Sequence, residues 1–135
     1  MRYSLFSALK HHTSKIRDFG DLTSVSTFGF RGEALSSLCA LSHLSVVSRT
    51  DDDATATEVD YDADGSVAST KTSARSKGTT IRLRDLFHSV PVRKKEFNRN
   101  IKREFAKMVH VLNAYCIVST NVRSEQQVGN TCSCV

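Results

Sequence analysis

Three short stretches of this chain carry residue types that bind oxyanions. In Thr27-Phe28-Gly29-Phe30-Arg31-Gly32-Glu33-Ala34-Leu35-Ser36-Ser37-Leu38, two glycines lead straight into residues that favour helix. A glycine turn before a helix start aims several backbone N–H groups one way, and the positive end of the helix dipole adds to them. That geometry suits a phosphate or another anion. Thr13-Ser14-Lys15 offers two hydroxyls and a cation, all groups that satisfy phosphate oxygens. Gly78-Thr79-Thr80 places a glycine at a strand entrance, with hydroxyls able to reach a base or an ordered water. Each stretch also has an ordinary reading, as a loop cap, a plain turn and a strand start respectively.

The elements that must hold these stretches follow from periodicity. Residues 4–12 read as a short helix, with Leu5, Phe6 and Leu9 at helical spacing, and residues 17–28 as irregular loop around Gly20. The spacing predicts a helix from Glu33 to Leu41 that buries Ala34, Leu35, Leu38 and Leu41, followed by a strand over residues 42–49. Val59, Tyr61 and Ala63 alternate with Asp60 and Asp62, a strand with one wet face. Asp64-Gly65 signals a hairpin returning through Ser66 to Thr70, and Thr80 to Arg84 resumes the alternation. After Pro91 a single long helix is expected, its apolar stripe formed by Phe97, Ile101, Phe105, Met108, Leu112 and Tyr115/Cys116. Ile117-Val118 is expected to open a strand running through Asn121-Val122-Arg123. This order predicts an α/β fold, with helices layered on one face of a mostly antiparallel sheet.

Composition narrows the class. The 135 residues (15.0 kDa) suit one domain with a real core, and 39% hydrophobic with 24% charged content is ordinary for a soluble chain. No apolar run approaches the ~20 residues that cross a bilayer. The N-terminus lacks a secretory pattern, although its basic, acid-free start is compatible with a mitochondrial presequence. Cys39 and Cys116 fall in apolar helical patterns. Cys132 and Cys134 lie in a polar tail, where neither a four-ligand zinc set nor a regular prenylation box is completed. A reducing compartment is expected. The net charge of +5 is concentrated in residues 93–107, where seven Lys/Arg face two Glu. That segment reads as the solvated face of a helix, with a DNA- or partner-binding surface (Arg93, Lys94, Lys95, Arg99, Lys102, Arg103) as the alternative.

Taken together, His12-Thr13-Ser14-Lys15-Ile16, Phe19-Gly20-Asp21-Leu22, the Thr27–Leu38 run, Gly78-Thr79-Thr80, Asp85-Leu86-Phe87 and Pro91-Val92-Arg93-Lys94-Lys95 resemble, in order and spacing, the MutL family of DNA mismatch repair ATPases. Lys95-Glu96-Phe97 through Ala114-Tyr115-Cys116-Ile117 looks like the post-meiotic-segregation branch of its eukaryotic members. The resemblance covers about residues 10–123. It implies the two-layer α/β sandwich shared with gyrase, Hsp90 and histidine kinases. It also implies ATP and Mg2+ as cofactors, a nuclear location, and DNA, a second MutL-type subunit and MutS-type proteins as partners of the full-length member. By the same resemblance, the backbone around Gly29, Phe30, Arg31, Gly32, Glu33, Ala34 and Leu35 holds the ATP phosphates, with the Glu33 side chain turned away. Thr13, Ser14 and Lys15 belong to the lid over the nucleotide, and Gly78, Thr79 and Thr80 lie by the adenine.

The same resemblance puts the family's general-base glutamate, its magnesium-binding asparagine and its Asp-x-Gly-x-Gly adenine motif upstream of the lid, where this chain starts. Residues 1–123 are therefore expected to be the later part of an ATPase domain, and residues 124–135 a divergent, disordered tail. Nucleotide binding without hydrolysis by this chain alone is the consequence, along with some exposed core surface and a tendency to aggregate.

Overall fold

A computed structural model describes residues 8–128 and 131–134. The chain divides into two compact units, Met1–Lys94 and Lys95–Val135.

The first unit is built on a four-stranded antiparallel sheet of β1 (His43–Arg49), β2 (Ala56–Tyr61), β3 (Val67–Ser73) and β4 (Gly78–Arg84), in the spatial order β3-β2-β1-β4. Strand β1 is central. It pairs with β2 through Val46–Val59 and with β4 from His43–Arg84 to Arg49–Gly78. Its Leu44, Ser45, Val46 and Val47 are buried in succession, so both faces of this strand are covered. Val59 and Ala56 of β2 are closed off from solvent as well. Helix α1 (Ala34–Leu41) runs directly into β1 and contributes Cys39, which packs with Ala8 and Leu44 in a small core flanked by Tyr61. Burial pushes the Cys39 thiol up. Cys39 thus fills the core position of this helix, whereas Ala34 and Leu35 stay accessible. Ser42 ends the helix, its backbone N–H and hydroxyl both donating to the Leu38 carbonyl at 2.9 and 2.7 Å.

The Asp64-Gly65 hairpin forms as the sequence suggests, with Gly65 at φ +88°. The Asp64 carboxylate accepts from the Ser66 N–H and hydroxyl at 2.9 and 2.6 Å, which holds it below the usual carboxylate range. The Gly65 carbonyl in turn accepts from the Ala8 N–H at 3.1 Å. Of the helix expected over residues 4–12, residues 4–7 lie outside the described residues. Residues 8–12 form a turn, in which the His12 N–H donates to the Leu9 carbonyl and His11 takes φ +64°. The expected irregular loop over 17–28 contains a short 3-10 helix, Phe19–Thr23. It forms because Asp18 and Asp21 cap it reciprocally: Asp21 accepts from the Arg17 and Asp18 N–H groups at 2.9 and 3.2 Å.

The long helix expected after Pro91 is interrupted. Helix α2 (Pro91–Arg99) and helix α3 (Ile101–Val118) meet at Asn100, which leaves helical geometry at φ −108°, ψ 17°. Its side-chain amide donates to the Glu96 carbonyl at 3.2 Å, the local competition that asparagine offers a helix. In the second unit α3 buries no residue fully. Phe105, Val109 and Cys116 are half-buried, while Ile101, Met108, Leu112 and Tyr115 of the expected stripe are exposed. Ile117 and Val118 end α3 instead of opening a strand, and a turn with Asn121 at φ +63° follows. Residues 124–135, expected to be disordered, contain two antiparallel strands, β5 (Glu125–Val128) and β6 (Thr131–Cys134). The side chains of Cys132 and Cys134 lie outside the described residues.

Candidate functional site

The first unit encloses a cavity of about 570 Å³ between the 13–15 loop and the glycine turn ahead of α1. Thr13, Ser14 and Lys15 form one side, and residues 28–35 the other, with Ala8, Leu9 and His12 completing the wall. Two of the three stretches singled out in the sequence are thus brought together. Helix α1 explains why this place suits an anion. Glu33 stands at its start and makes no side-chain cap, and the first helical bond runs from the Ser37 N–H to the Glu33 carbonyl at 3.0 Å. The preceding first-turn N–H groups have no partner within the helix, and they carry its positive dipole end. Lys15 and Arg31 add cations to the lining, and Thr13 and Ser14 add hydroxyls.

Backbone conformation separates the two glycines. Gly32 has φ +67°, and a Cβ placed on it would lie 2.3 Å from the His12 carbonyl oxygen, so the turn and the loop meet backbone to backbone there. Gly29 meets nothing within 4 Å and keeps an ordinary φ. The side chains of this turn have local partners. Thr27 Oγ1 donates to the Gly29 carbonyl at 3.0 Å, and the Arg31 guanidinium lies 5.6 Å from the Phe30 ring centroid. In the loop, the Lys15 backbone N–H donates to Thr13 Oγ1 at 3.1 Å.

Glu33 pairs with the segment ahead of the 13–15 loop. It lines the cavity, and its carboxylate stands 3.3 Å from His11 Nδ1. It also lines a second cavity of about 620 Å³, bounded on its far side by Ile16, Arg17, Asp18, Phe19 and Leu22. Thr13, Phe30, Arg31 and Glu33 form the wall between the two. Beside the second cavity, the N–H groups of Arg17 and Asp18 hold the Asp21 carboxyl below its usual range.

The third stretch is not part of this wall. Gly78, Thr79 and Thr80 open β4, and their polar groups are engaged within the sheet. Thr79 and Ser48 share a 2.8 Å hydroxyl contact. Thr80 Oγ1 accepts from Arg75 Nη1 at 2.7 Å, and the same nitrogen donates to the Val47 carbonyl at 2.8 Å. Gly78 takes φ +131°, which side chains with a Cβ rarely adopt, and the other terminal nitrogen of Arg75 lies 3.3 Å from where a Cβ would stand. Sequence reasoning missed this arginine, as it missed His11 and His12. The two histidines stand immediately before the Thr-Ser-Lys loop, and that adjacency was the available signal.

The basic residues proposed as an alternative surface are divided between the units. Arg93 stacks over the Phe87 ring at 5.4 Å, and Lys94 pairs with Asp85 at 3.5 Å. Lys95, Arg99, Lys102 and Arg103 belong to the second unit, where Arg103 and Lys107 both reach Glu104, at 3.5 and 2.9 Å. Those contacts pull the Glu104 carboxyl below its usual range, the Lys107 hydrogen bond most of all. Among the described residues no group of three or more His, Cys, Asp or Glu is placed to hold a metal ion. The cavity's one carboxylate, Glu33, faces His11, so the donors present do not fit a dedicated magnesium site. No described helix is long and apolar enough to cross a membrane.

Comparison with known proteins adds the context. No family model matches the chain. Mouse "Mismatch repair endonuclease PMS2" is 55% identical over 116 residues, covering 86% of this chain and 14% of the relative. The chain therefore spans only a small part of the curated proteins it matches. A solved structure described as the N-terminal domain of a DNA repair protein shares 45% identity, with a TM-score of 0.69 over 91% of this chain and 36% of that one. The Aquifex aeolicus MutL ATPase domain complexed with ADP aligns with a TM-score of 0.61 over 81% of this chain and 42% of its own, at 24% identity. That last likeness speaks to the fold, an α/β architecture with an antiparallel sheet.

Proposed function

This chain is a homologue of the MutL-family mismatch repair proteins and matches a fragment of their ATPase domain, and from that premise we propose that the cavity at the start of α1 is a nucleotide phosphate site. The observation that carries the reading is the convergence of residues 13–15 and 28–35 on one cavity, at the uncapped N-terminus of α1. First-turn N–H groups donate to phosphate oxygens, Lys15 and Arg31 balance their charge, and the Thr13 and Ser14 hydroxyls complete their hydrogen bonds. Gly32 lets the turn approach the His12 backbone closely enough to form the cradle. Gly78, Thr79 and Thr80 contribute to the adenine side by resemblance only, with Arg75 fixing the Thr80 hydroxyl.

In the whole protein this site serves ATP binding and hydrolysis, coupled to conformational change and to assembly of the mismatch repair complex in the nucleus. DNA, a second MutL-type subunit and MutS-type proteins are its partners there. Homology favours this reading over a free-standing DNA- or partner-binding module. Catalysis is assigned to no residue of this chain. The magnesium ion that neutralises phosphate charge in such a reaction has no dedicated ligand set among the described residues.

The test is titration of the purified chain with a fluorescent ATP analogue, with and without magnesium, for the wild type and for Lys15→Ala and Arg31→Ala. Saturable binding that weakens roughly tenfold in each variant supports the site, since each removes one charge-assisted contact. Equal affinity in all three proteins overturns it.

A further inference from the structure

The far end of α1 carries contacts that the phosphate reading does not use. A helix leaves its last carbonyls without partners of its own, and one of eight residues is too short to hold its shape unaided. Ser42 serves the Leu38 carbonyl. Later carbonyls are met from a turn distant in sequence, residues 85–90. The Leu41 carbonyl accepts from the Phe87 N–H at 2.7 Å, and the Ala40 carbonyl from the Ser89 hydroxyl at 3.0 Å. Just past the helix, the His43 ring stacks on His88 with centroids 4.4 Å apart. Three consecutive residues of the turn thus hold the end of α1 and the start of β1.

The turn bends sharply to do so. Asp85 and Phe87 take φ +52° and +64°, left-handed conformations that a bulky side chain such as phenylalanine rarely adopts. Such a backbone persists where surrounding contacts over-determine it. Here the His88 N–H donates to the Asp85 carbonyl at 2.9 Å and the Val90 N–H to the Phe87 carbonyl at 3.0 Å. Lys94 pairs with Asp85, and the Arg93 guanidinium lies over the Phe87 ring.

We propose that Phe87, His88 and Ser89 are positioning residues, a clasp on the C-terminal end of α1 that fixes where its N-terminal N–H groups point. The proposal rests on the phosphate-site reading above for its functional consequence, though not for the clasp itself. Helix α1 spans about 12 Å and moves as one rod, so holding one end directs the other into the cavity. A phosphate at the open end and the clasp at the closed end stabilise the same short helix. By linkage, each therefore strengthens the other. The Ser89 bond is exposed, which limits its effect to a few-fold.

Two measurements on the full chain test the clasp, for the wild type, Ser89→Ala, Ser89→Thr and the double variant His88→Ala/Ser89→Ala. Ser69→Ala, which removes a hydroxyl bond to Asp60 between β3 and β2, controls for stability alone. The first measurement is amide hydrogen exchange across residues 37–42, taken relative to the amides of β2. Exchange there is expected to be roughly two- to fivefold faster in Ser89→Ala and faster still in the double variant. Ser89→Thr keeps the hydroxyl and is expected to match the wild type, as is Ser69→Ala. The second is affinity for the fluorescent ATP analogue. It should fall roughly two- to fivefold in Ser89→Ala, further in the double variant, and not in Ser89→Thr or Ser69→Ala. Wild-type exchange across α1 in the double variant overturns the clasp, whatever nucleotide does. Faster exchange with undiminished affinity overturns the positioning role. Clasp-dependent exchange without nucleotide binding in any variant overturns the phosphate reading and leaves the clasp standing.

Discussion

Gly32 and His12 touch through their backbones: a Cβ on Gly32 would stand 2.3 Å from the His12 carbonyl oxygen and 2.9 Å from its amide nitrogen. No side chain other than hydrogen fits between them, so the glycine turn and the loop facing it form one unit. The shape of the cavity depends on that approach.

Gly32→Ala is therefore expected to disrupt the site. The left-handed backbone alone costs about 1–2 kcal/mol for a residue with a Cβ, before the clash is counted. Gly29→Ala, with open space around it and an ordinary φ, is expected to be nearly silent. Chemical denaturation and nucleotide titration of the two variants check this, and equal behaviour of the pair would be the contrary result.

Arg75 is expected to hold the β3–β4 connection to the sheet. Arg75→Met removes its bonds to the Val47 carbonyl and Thr80 Oγ1 and should destabilise the first unit by about 1–3 kcal/mol. Thr80→Val removes only one of these acceptors and should cost less. In a double-mutant cycle the two changes should be less than additive, because they share a bond.

Cys39 is expected to be protected from thiol reagents. Burial raises its pKa, the nearby Asp64 charge adds to the shift, and the reactive species is the thiolate. At pH 8 its labelling should be roughly tenfold or more slower than that of half-buried Cys116, and denaturant should abolish the difference. Mass spectrometry of labelled peptides distinguishes the two sites.

Acid should loosen two local structures before the sheet. The Asp21 and Asp64 carboxyls are both held below their usual range by hydrogen bonds, Asp21 from backbone N–H groups and Asp64 chiefly from Ser66. A depressed folded pKa means that the ionised form stabilises. That contribution is complete above the unfolded carboxylate pKa and is lost as pH falls through the folded value. Fraying of the 3-10 helix and of the β2–β3 turn is therefore expected below about pH 4. Asp21→Asn and Asp64→Asn should remove that pH dependence from nuclear magnetic resonance shifts of the respective segments.

Much of the site was legible because it depends on local rules. Gly32 ahead of Ala34 reads as a turn and helix start from neighbouring residues alone, and Asp64-Gly65 reads as a hairpin for the same reason. The misses have non-local or competing causes. Gly78 is required by its φ of +131°, a conformation that spacing does not reveal. Asn100 breaks a pattern that stays periodic across it, its side-chain amide sharing the Glu96 carbonyl with its own backbone N–H. The Asp18–Asp21 capping box outweighs the weak helix tendency of Phe19–Thr23. His11 looked like an ordinary loop residue until its conformation placed it beside Glu33.

The strand order β3-β2-β1-β4 sets the sequence of events when the chain folds. β1, β2 and β3 are successive neighbours and assemble through short hairpins, whereas β4 must return past both to find β1, pairing Arg84 with His43. Closing that larger loop costs more chain entropy than closing the hairpins. Until it is complete, β1 presents an unpaired edge beside α1. The glycine turn is thus mounted on a strand whose second border arrives last, and a nascent chain that stalls before Gly78 carries that turn on an open, aggregation-prone sheet.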